Sequence, residues 1–376
     1  MFISSQFDGG NIECVDSSDP SNILLNIRAD HQSDFYQWFY FRAANIKDLD
    51  CRYVIINASG ASYQKGWEGY RAVASYDREF WFRVETSYDG ENLVIEHNSS
   101  EDQVYFAYFA PYSMERHADL IAFAQTSERC QVETIGTTLD GQAMDCLRFG
   151  ENDQGRKNIW MVARQHPGET MAEWWMEGMV NRLVDYSDPV VNAILDRAVI
   201  YLVPNMNPDG SRRGHLRTNA VGSNLNREWD NPTPEKSPEV LCVLEKIKQT
   251  GLDFGLDVHG DEALPYNFIA GTEGIPGWDS ARQQQLELFK STLASVNPDF
   301  QFEHGYPVNP AGSANMSYCS SSLAQRFEAL VMTLEMPFKD ASGTVDELQG
   351  WSPERCVRLA HSCLDTLHLC WDQVVK

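Results

Sequence analysis

The sequence predicts an all-β antiparallel sandwich domain followed by an α/β domain, its mixed, largely parallel sheet flanked by helices. Three observations predict it. Short apolar and aromatic runs separated by turn residues fill the first third of the chain. Four near-continuous apolar runs alternate with helical patterns in the remainder. The change falls between Pro111 and Arg129 without a low-complexity linker. We divide the chain into residues 1–122 and 123–376.

The first domain draws its strands from Asn22–Ile27, Phe35–Arg42, Arg52–Ala58, Phe80–Val84, Leu93–Glu96 and Val104–Ala110. Asp89-Gly90 between two of these runs is a hairpin signal, because both residue types accept positive φ. Several short strands at this spacing suggest two packed antiparallel sheets. In the second domain the strands are Ile159–Ala163, Ala198–Val203, Phe254–Val258 and Ala329–Leu334. Apolar residues at every position suit a parallel sheet covered on both faces. Thr170–Tyr186 has helical spacing. Ser237-Pro238-Glu239 and Ser352-Pro353-Glu354 each read as a helix start, with a cap and a proline at the first helical position. Gly251 ends the first of these helices.

The 376 residues carry a formal charge of −24. Such a surface repels phosphate backbones and argues against nucleic-acid binding. No apolar run reaches membrane-spanning length. Met1–Gly10 has neither a basic start nor an apolar core, so a secretory leader is not expected. Nine cysteines, an odd number without a paired framework, suggest reduced thiols and a cytoplasmic protein.

Polar residues collect at the carboxyl ends of the predicted parallel strands, where open α/β sheets bind ligands. Ile159–Ala163 runs into Arg164-Gln165-His166-Pro167-Gly168-Glu169, whose proline and glycine force a turn. His259 follows Phe254–Val258 directly, and Glu335 follows Ala329–Leu334. Ala198–Val203 leads into the turn-rich Asn207-Pro208-Asp209-Gly210. Taken singly, each residue reads as an ordinary loop or ion-pair group. Together they offer two imidazoles and one carboxylate for a single zinc ion, His166, Glu169 and His259, with a fourth position open for chemistry. Such an ion polarises a carbonyl and acidifies a water, and Glu335 is placed to move that water's proton. No His-Glu-x-x-His helix is present.

The order His166-Pro167-Gly168-Glu169, Asn207-Pro208-Asp209-Gly210, Asn226-Arg227, His259 and Glu335 resembles the metallocarboxypeptidases of the carboxypeptidase A type, and among them the cytosolic carboxypeptidase subfamily. Trp38-Phe39-Tyr40-Phe41-Arg42 and Tyr105–Tyr112 resemble the sandwich domain of that branch, so the resemblance covers essentially the whole chain. It implies that His166, Glu169 and His259 hold zinc, and that Glu335 is general base and then general acid. Arg217 would stabilise the oxyanion, and Asn226 with Arg227 would grip the terminal carboxylate of a peptide or protein. A planar guanidinium suits that grip.

Two departures stand out. The family usually has an aspartate two residues before the substrate-binding asparagine, which orients a zinc histidine; Asn224 stands there. An amide oxygen still accepts that hydrogen bond but brings no charge. Members that trim glutamate have a basic residue after a Gly-Ser-Ala-like triplet, where this chain has Asn315. A preference for acidic C-terminal residues would then draw its charge from Arg212, Arg213 or Arg326. Tyr306 and Tyr318 are candidates for a tyrosine over the substrate. Cys356, Cys363 and Cys370 lie seven apart on the last helix, too far along one face to share an ion, and read as core together with Trp174 and Trp175. Competing readings are a zinc amidohydrolase that deacylates small N-acyl amino acids, and a binding module with an inactive second domain.

Overall fold

The computed structural model describes residues 1–151 and 155–376. Ten strands make the first domain: β1 (Phe2–Ser4), β2 (Glu13–Asp16), β3 (Ile23–Asn26), β4 (Tyr40–Ala44), β5 (Asp50–Ile55), β6 (Val73–Ser75), β7 (Phe82–Arg83), β8 (Glu85–Tyr88), β9 (Leu93–Asn98) and β10 (Gln103–Ala107). They form two five-stranded sheets, ordered β1-β4-β10-β6-β7 and β2-β3-β5-β9-β8. Phe41 and Phe106 of one sheet pack on Tyr53 of the other, with ring centroids 5.7 and 4.8 Å away. Asp89-Gly90 does turn β8 into β9, and Gly90 has φ 97°. One pair departs from the expected antiparallel pattern: β3 and β5 run parallel. The chain visits the opposite sheet as β4 between them, so it can re-enter in its original direction.

Helix α1 (Met114–Ala124) connects the domains. Its buried residues include His117 and Leu120, and it packs on the second domain, where His117 Nδ1 lies 2.6 Å from Glu173. A division after residue 122 would cut this helix; a division before Met114 keeps it whole.

The second domain contains β11 (Cys130–Thr137), β12 (Ala143–Phe149), β13 (Lys157–Ala163), β14 (Ala198–Val203), β15 (Phe254–Asp261), β16 (Phe268–Ala270) and β17 (Leu330–Pro337). The sheet order is β11-β12-β14-β13-β15-β17-β16. Its central four strands are parallel, as the continuous apolar runs predict, and its edges are antiparallel. Successive side chains serve opposite faces. Ile159, Met161 and Ala163 join the core under α2 (Met171–Leu183), α3 (Pro189–Leu195), α6 (Ser280–Val296) and α8 (Pro353–Val374). Trp160 and Val162 join a second core under α5 (Pro238–Thr250) and α7 (Cys319–Phe327). Cys356, Cys363 and Cys370 are buried in α8, as are Trp174 and Trp175 in α2. The segment Asn207–Gly210 opens a short helix, α4 (Pro208–Arg213), because Asn207 caps it by accepting from Gly210 N at 3.1 Å.

Strands β15 and β17 outrun their neighbours. Pairing of β13 with β15 stops at Ala163 opposite Val258, whereas β15 and β17 continue to Asp261 opposite Pro337. His259 and Glu335 therefore lie inside these strands, directly opposite each other, and do not follow their ends. Among the described residues, no helix is long and apolar enough to cross a membrane.

Candidate active site

The loop between β13 and α2 carries two of the three expected metal ligands. Arg164 starts it in a left-handed conformation, φ 57°, and its buried guanidinium donates back to Pro167 O at 3.0 Å. Its Nη1 also reaches Tyr112 O at 2.8 Å and Glu173 at 2.6 Å. The turn so fixed aims His166 and Glu169 at His259, one strand over.

These three side chains are buried, and their ligand atoms lie within 4.8 Å of one another. Glu169 reaches both imidazoles, 2.6 Å from His166 Nδ1 and 2.7 Å from His259 Nδ1. The outer nitrogens have acceptors of their own. His166 Nε2 is 3.1 Å from Asn224 Oδ1, and His259 Nε2 is 3.0 Å from Asp257 Oδ1. Placing each ring proton on Nε2 leaves both Nδ1 lone pairs facing inward, as a metal needs. Asp257 is itself held by Gln165 Nε2, 2.8 Å from each carboxylate oxygen. Trp229 Nε1 donates to Gln165 Oε1 at 2.8 Å. Burial, together with the Arg217 charge, pushes His166 down to about 4, so its ring is neutral. Two imidazole nitrogens and one carboxylate oxygen suit zinc better than a hard cation that prefers oxygen alone.

Glu335 is 6% exposed, and its Oε2 is buried without a hydrogen-bond partner. Oε1 lies 3.3 Å from Tyr306 Oη, whose one hydroxyl proton is donated to Asp261 Oδ2 at 2.6 Å. Burial raises the Glu335 carboxyl well above the usual range; His259 opposes this, and Glu169, Asp261 and Glu262 reinforce it. An orphaned oxygen beside the triad is where a bound water would belong.

His166, Glu169, His259, Glu335, Arg217, Asn226 and Arg227 line one cavity of about 600 Å³. The Arg217 guanidinium lies over the rings of Phe35 and Tyr63, 5.6 and 5.4 Å from their centroids. Arg227 stacks on Tyr318 at 4.0 Å and donates to Asn226 O at 2.6 Å. Asn226 Oδ1 accepts from Cys319 N at 2.8 Å, which fixes the amide at the cavity wall. Tyr306 and Tyr318 are thus both at the site, one on Glu335 and one under Arg227.

The other sequence candidates lie elsewhere. Asn315 is exposed and accepts from Ser317 within its own turn. Arg213 forks onto Asp140 at 2.8 and 2.9 Å. Arg326 donates to Asp230 O at 2.9 Å, and Arg212 borders a separate cavity beside His117. The third cation lining the site is Lys290 of α6, joined there by Tyr63 and Glu262. Nothing in the sequence sets Lys290 or Tyr63 apart: one sits on an ordinary amphipathic helix, the other in the first domain.

Known proteins share this architecture. The family profile described as cytosolic carboxypeptidase N-terminal domain matches residues 3–109, and that described as zinc carboxypeptidase matches residues 117–265. A metallo-carboxypeptidase from Burkholderia cenocepacia superposes with a TM-score of 0.97 at 42% identity, covering 99% of each chain. One from Pseudomonas aeruginosa, solved with (2-guanidinoethylmercapto)succinic acid, gives 0.96 at 42% identity over 99% of this chain and 100% of that one. Mouse cytosolic carboxypeptidase 1 is 26% identical over 71% of this chain, which spans only 26% of that longer protein. With both profiles in their expected order and full-length likeness to two solved metallo-carboxypeptidases, the chain belongs to the M14 zinc carboxypeptidase family, in the branch with a cytosolic carboxypeptidase N-terminal domain.

Proposed function

We propose that the protein removes C-terminal residues from peptides or proteins, with Glu335 as general base. The observation that supports this best is the gathering of the metal triad, a carboxylate with one free buried oxygen, and two arginines in a single cavity. His166, Glu169 and His259 would hold a zinc ion, which supplies Lewis acidity and an acidified water. Glu335 takes a proton from the attacking water at Oε2 and passes it to the leaving amine. Arg217 faces the negative charge that develops on the carbonyl oxygen. Asn226 and Arg227 hold the free carboxylate, which restricts the reaction to chain ends.

We further propose a preference for acidic terminal residues, with Lys290 as the source of charge. Two of the cavity's three cations are committed to the oxyanion and the terminal carboxylate, leaving Lys290 for the substrate side chain. A cytoplasmic setting is supported by the nine free cysteines.

The test uses zinc-loaded protein and peptides that vary in the last residue, with blocked C-termini included, read by mass spectrometry. Stepwise loss from free ends alone is expected. Glu335→Gln should lower the rate about 10²–10⁴-fold with zinc retained. Lys290→Ala should lower kcat/KM for terminal glutamate about tenfold relative to leucine. Cleavage of blocked peptides, or full activity in Glu335→Gln, would refute the mechanism. An unchanged glutamate-to-leucine ratio in Lys290→Ala would refute the specificity.

A further inference from the structure

Arg217 belongs to a segment, residues 214–222, with no regular secondary structure. The second domain ties it down through Gly168 N, which donates to Leu216 O at 2.9 Å, and through Asn219 Nδ2, which donates to Lys236 O at 2.8 Å. The first domain grips it at three points. At one end, Gly214 has φ 70°, and an added Cβ there would lie 2.7 Å from Gly9 O. Asn11 Nδ2 donates to Gly214 O at 2.9 Å. At the other end, Gly222 has φ 77°, and an added Cβ would lie 2.3 Å from Gln32 O.

Between these, Asp30 of the first domain reaches into the segment. Its carboxylate accepts from three consecutive backbone amides, Leu216 N at 2.6 Å, Arg217 N at 2.8 Å and Thr218 N at 2.8 Å. Thr218 Oγ1 adds a fourth bond at 3.0 Å. Asp30 is 3% exposed. Charge-assisted bonds to backbone amides are among the stronger hydrogen bonds, and water does not compete for them here. The adjacent His31 N donates to His215 Nε2 at 3.1 Å, and His215 Nδ1 lies 2.9 Å from Thr218 O. The Asp30 carboxylate therefore fixes the backbone at Arg217 itself, while Phe35 and Tyr63, from the same domain, flank the guanidinium.

We infer that the sandwich domain is part of the catalytic apparatus: Asp30 is a positioning residue that sets Arg217 for transition-state stabilisation, with Phe35 and Tyr63 bounding the guanidinium. This rests on the oxyanion role given to Arg217 above. Orientation is what the chemistry requires, since an error of about 1 Å in a charge-stabilising group can cost on the order of 100-fold in rate. An asparagine at position 30 keeps the shape but replaces one acceptor oxygen with a donor that faces backbone N–H groups.

The experiment is a double-mutant cycle on the zinc-loaded, full-length protein: wild type, Asp30→Asn, Arg217→Ala and the double variant, with kcat, KM, zinc content and thermal midpoint measured for each. Arg217→Ala should lower kcat about 10²–10³-fold. Asp30→Asn should lower kcat about tenfold or more, leaving KM and zinc content within about twofold. In the Arg217→Ala background the same change should alter kcat by less than about twofold, because the group it positions is gone. An equal loss in both backgrounds would overturn the inference and make Asp30 a general docking residue. An unchanged kcat in Arg217→Ala would instead remove the oxyanion role, and this inference with it, while the Glu335→Gln result stands apart. Should Asp30→Asn fail to fold, Phe35→Leu and Tyr63→Leu take its place in the cycle, with the same pattern expected.

Discussion

The two halves of the active site are built differently. The candidate metal triad is carried by the second domain: His259 is inside β15, opposite Glu335 in β17, and His166 and Glu169 occupy the turn that enters α2, braced by Arg164, which also donates to Tyr112 O of the first domain. Sheet hydrogen bonds and two packed cores fix these positions. The segment that presents Arg217, Asn226 and Arg227 has little regular structure, and at Arg217 its backbone is held by Asp30 from the other domain. A site can thus take one rigid wall from its own sheet and another from a neighbouring domain. The first should resist changes at the interface, and the second should not.

Three substitutions sharpen this contrast. The largest effect is expected in the triad. Glu169→Gln removes the charge between the two imidazoles, and zinc affinity should fall more than about 100-fold, with activity lost at limiting metal. Metal titration checks this, while far-ultraviolet circular dichroism should show the fold retained. Gly222→Ala strikes the other wall. The added methyl meets Gln32 O in a left-handed backbone position, so stability should drop by about 2–3 kcal/mol, with zinc affinity nearly unchanged. Denaturant midpoints and metal titration measure the two quantities separately. Equal losses in both would show that the walls are not independent. The smallest effect lies where the walls meet. Asn224 belongs to the irregular segment yet its Oδ1 is 3.1 Å from His166 Nε2. Asn224→Asp adds charge to that bond, and zinc should bind about tenfold more tightly. Competition against a chelator of known affinity would show it, and no change would mean that the bond's geometry matters more than its charge.

Much of the triad was legible in the sequence. Four uninterrupted apolar runs specify buried parallel strands, because both faces of such a strand meet helices. Polar residues at their carboxyl ends then stand out. The edge strands were harder to read. Strand β11 alternates partly exposed residues and carries Glu133 and Thr134, so no apolar run marks it. The short β1 is only partly buried, β2 is exposed throughout, and neither carries a periodic signal. Helix α1 was missed for a related reason: its moderate amphipathicity falls in a stretch read only as a boundary.

The sequence by itself determined the two-domain order, the parallel core of the second domain and the choice of His166, Glu169 and His259 as candidate metal ligands with Glu335 as a further candidate. All of these follow from local patterns, apolar runs and turn-forming residues within a few positions of one another. Only the tertiary structure decided that β15 and β17 outrun the sheet, that Lys290 is the cavity's third cation, and that Asp30 holds the backbone of Arg217 across the domain interface. These depend on residues far apart in the chain: Asp30 and Arg217 are separated by 187 positions. No local propensity records such a meeting, because a buried carboxylate and an exposed one have the same letter. What distinguishes them is the set of amides that folding brings within reach.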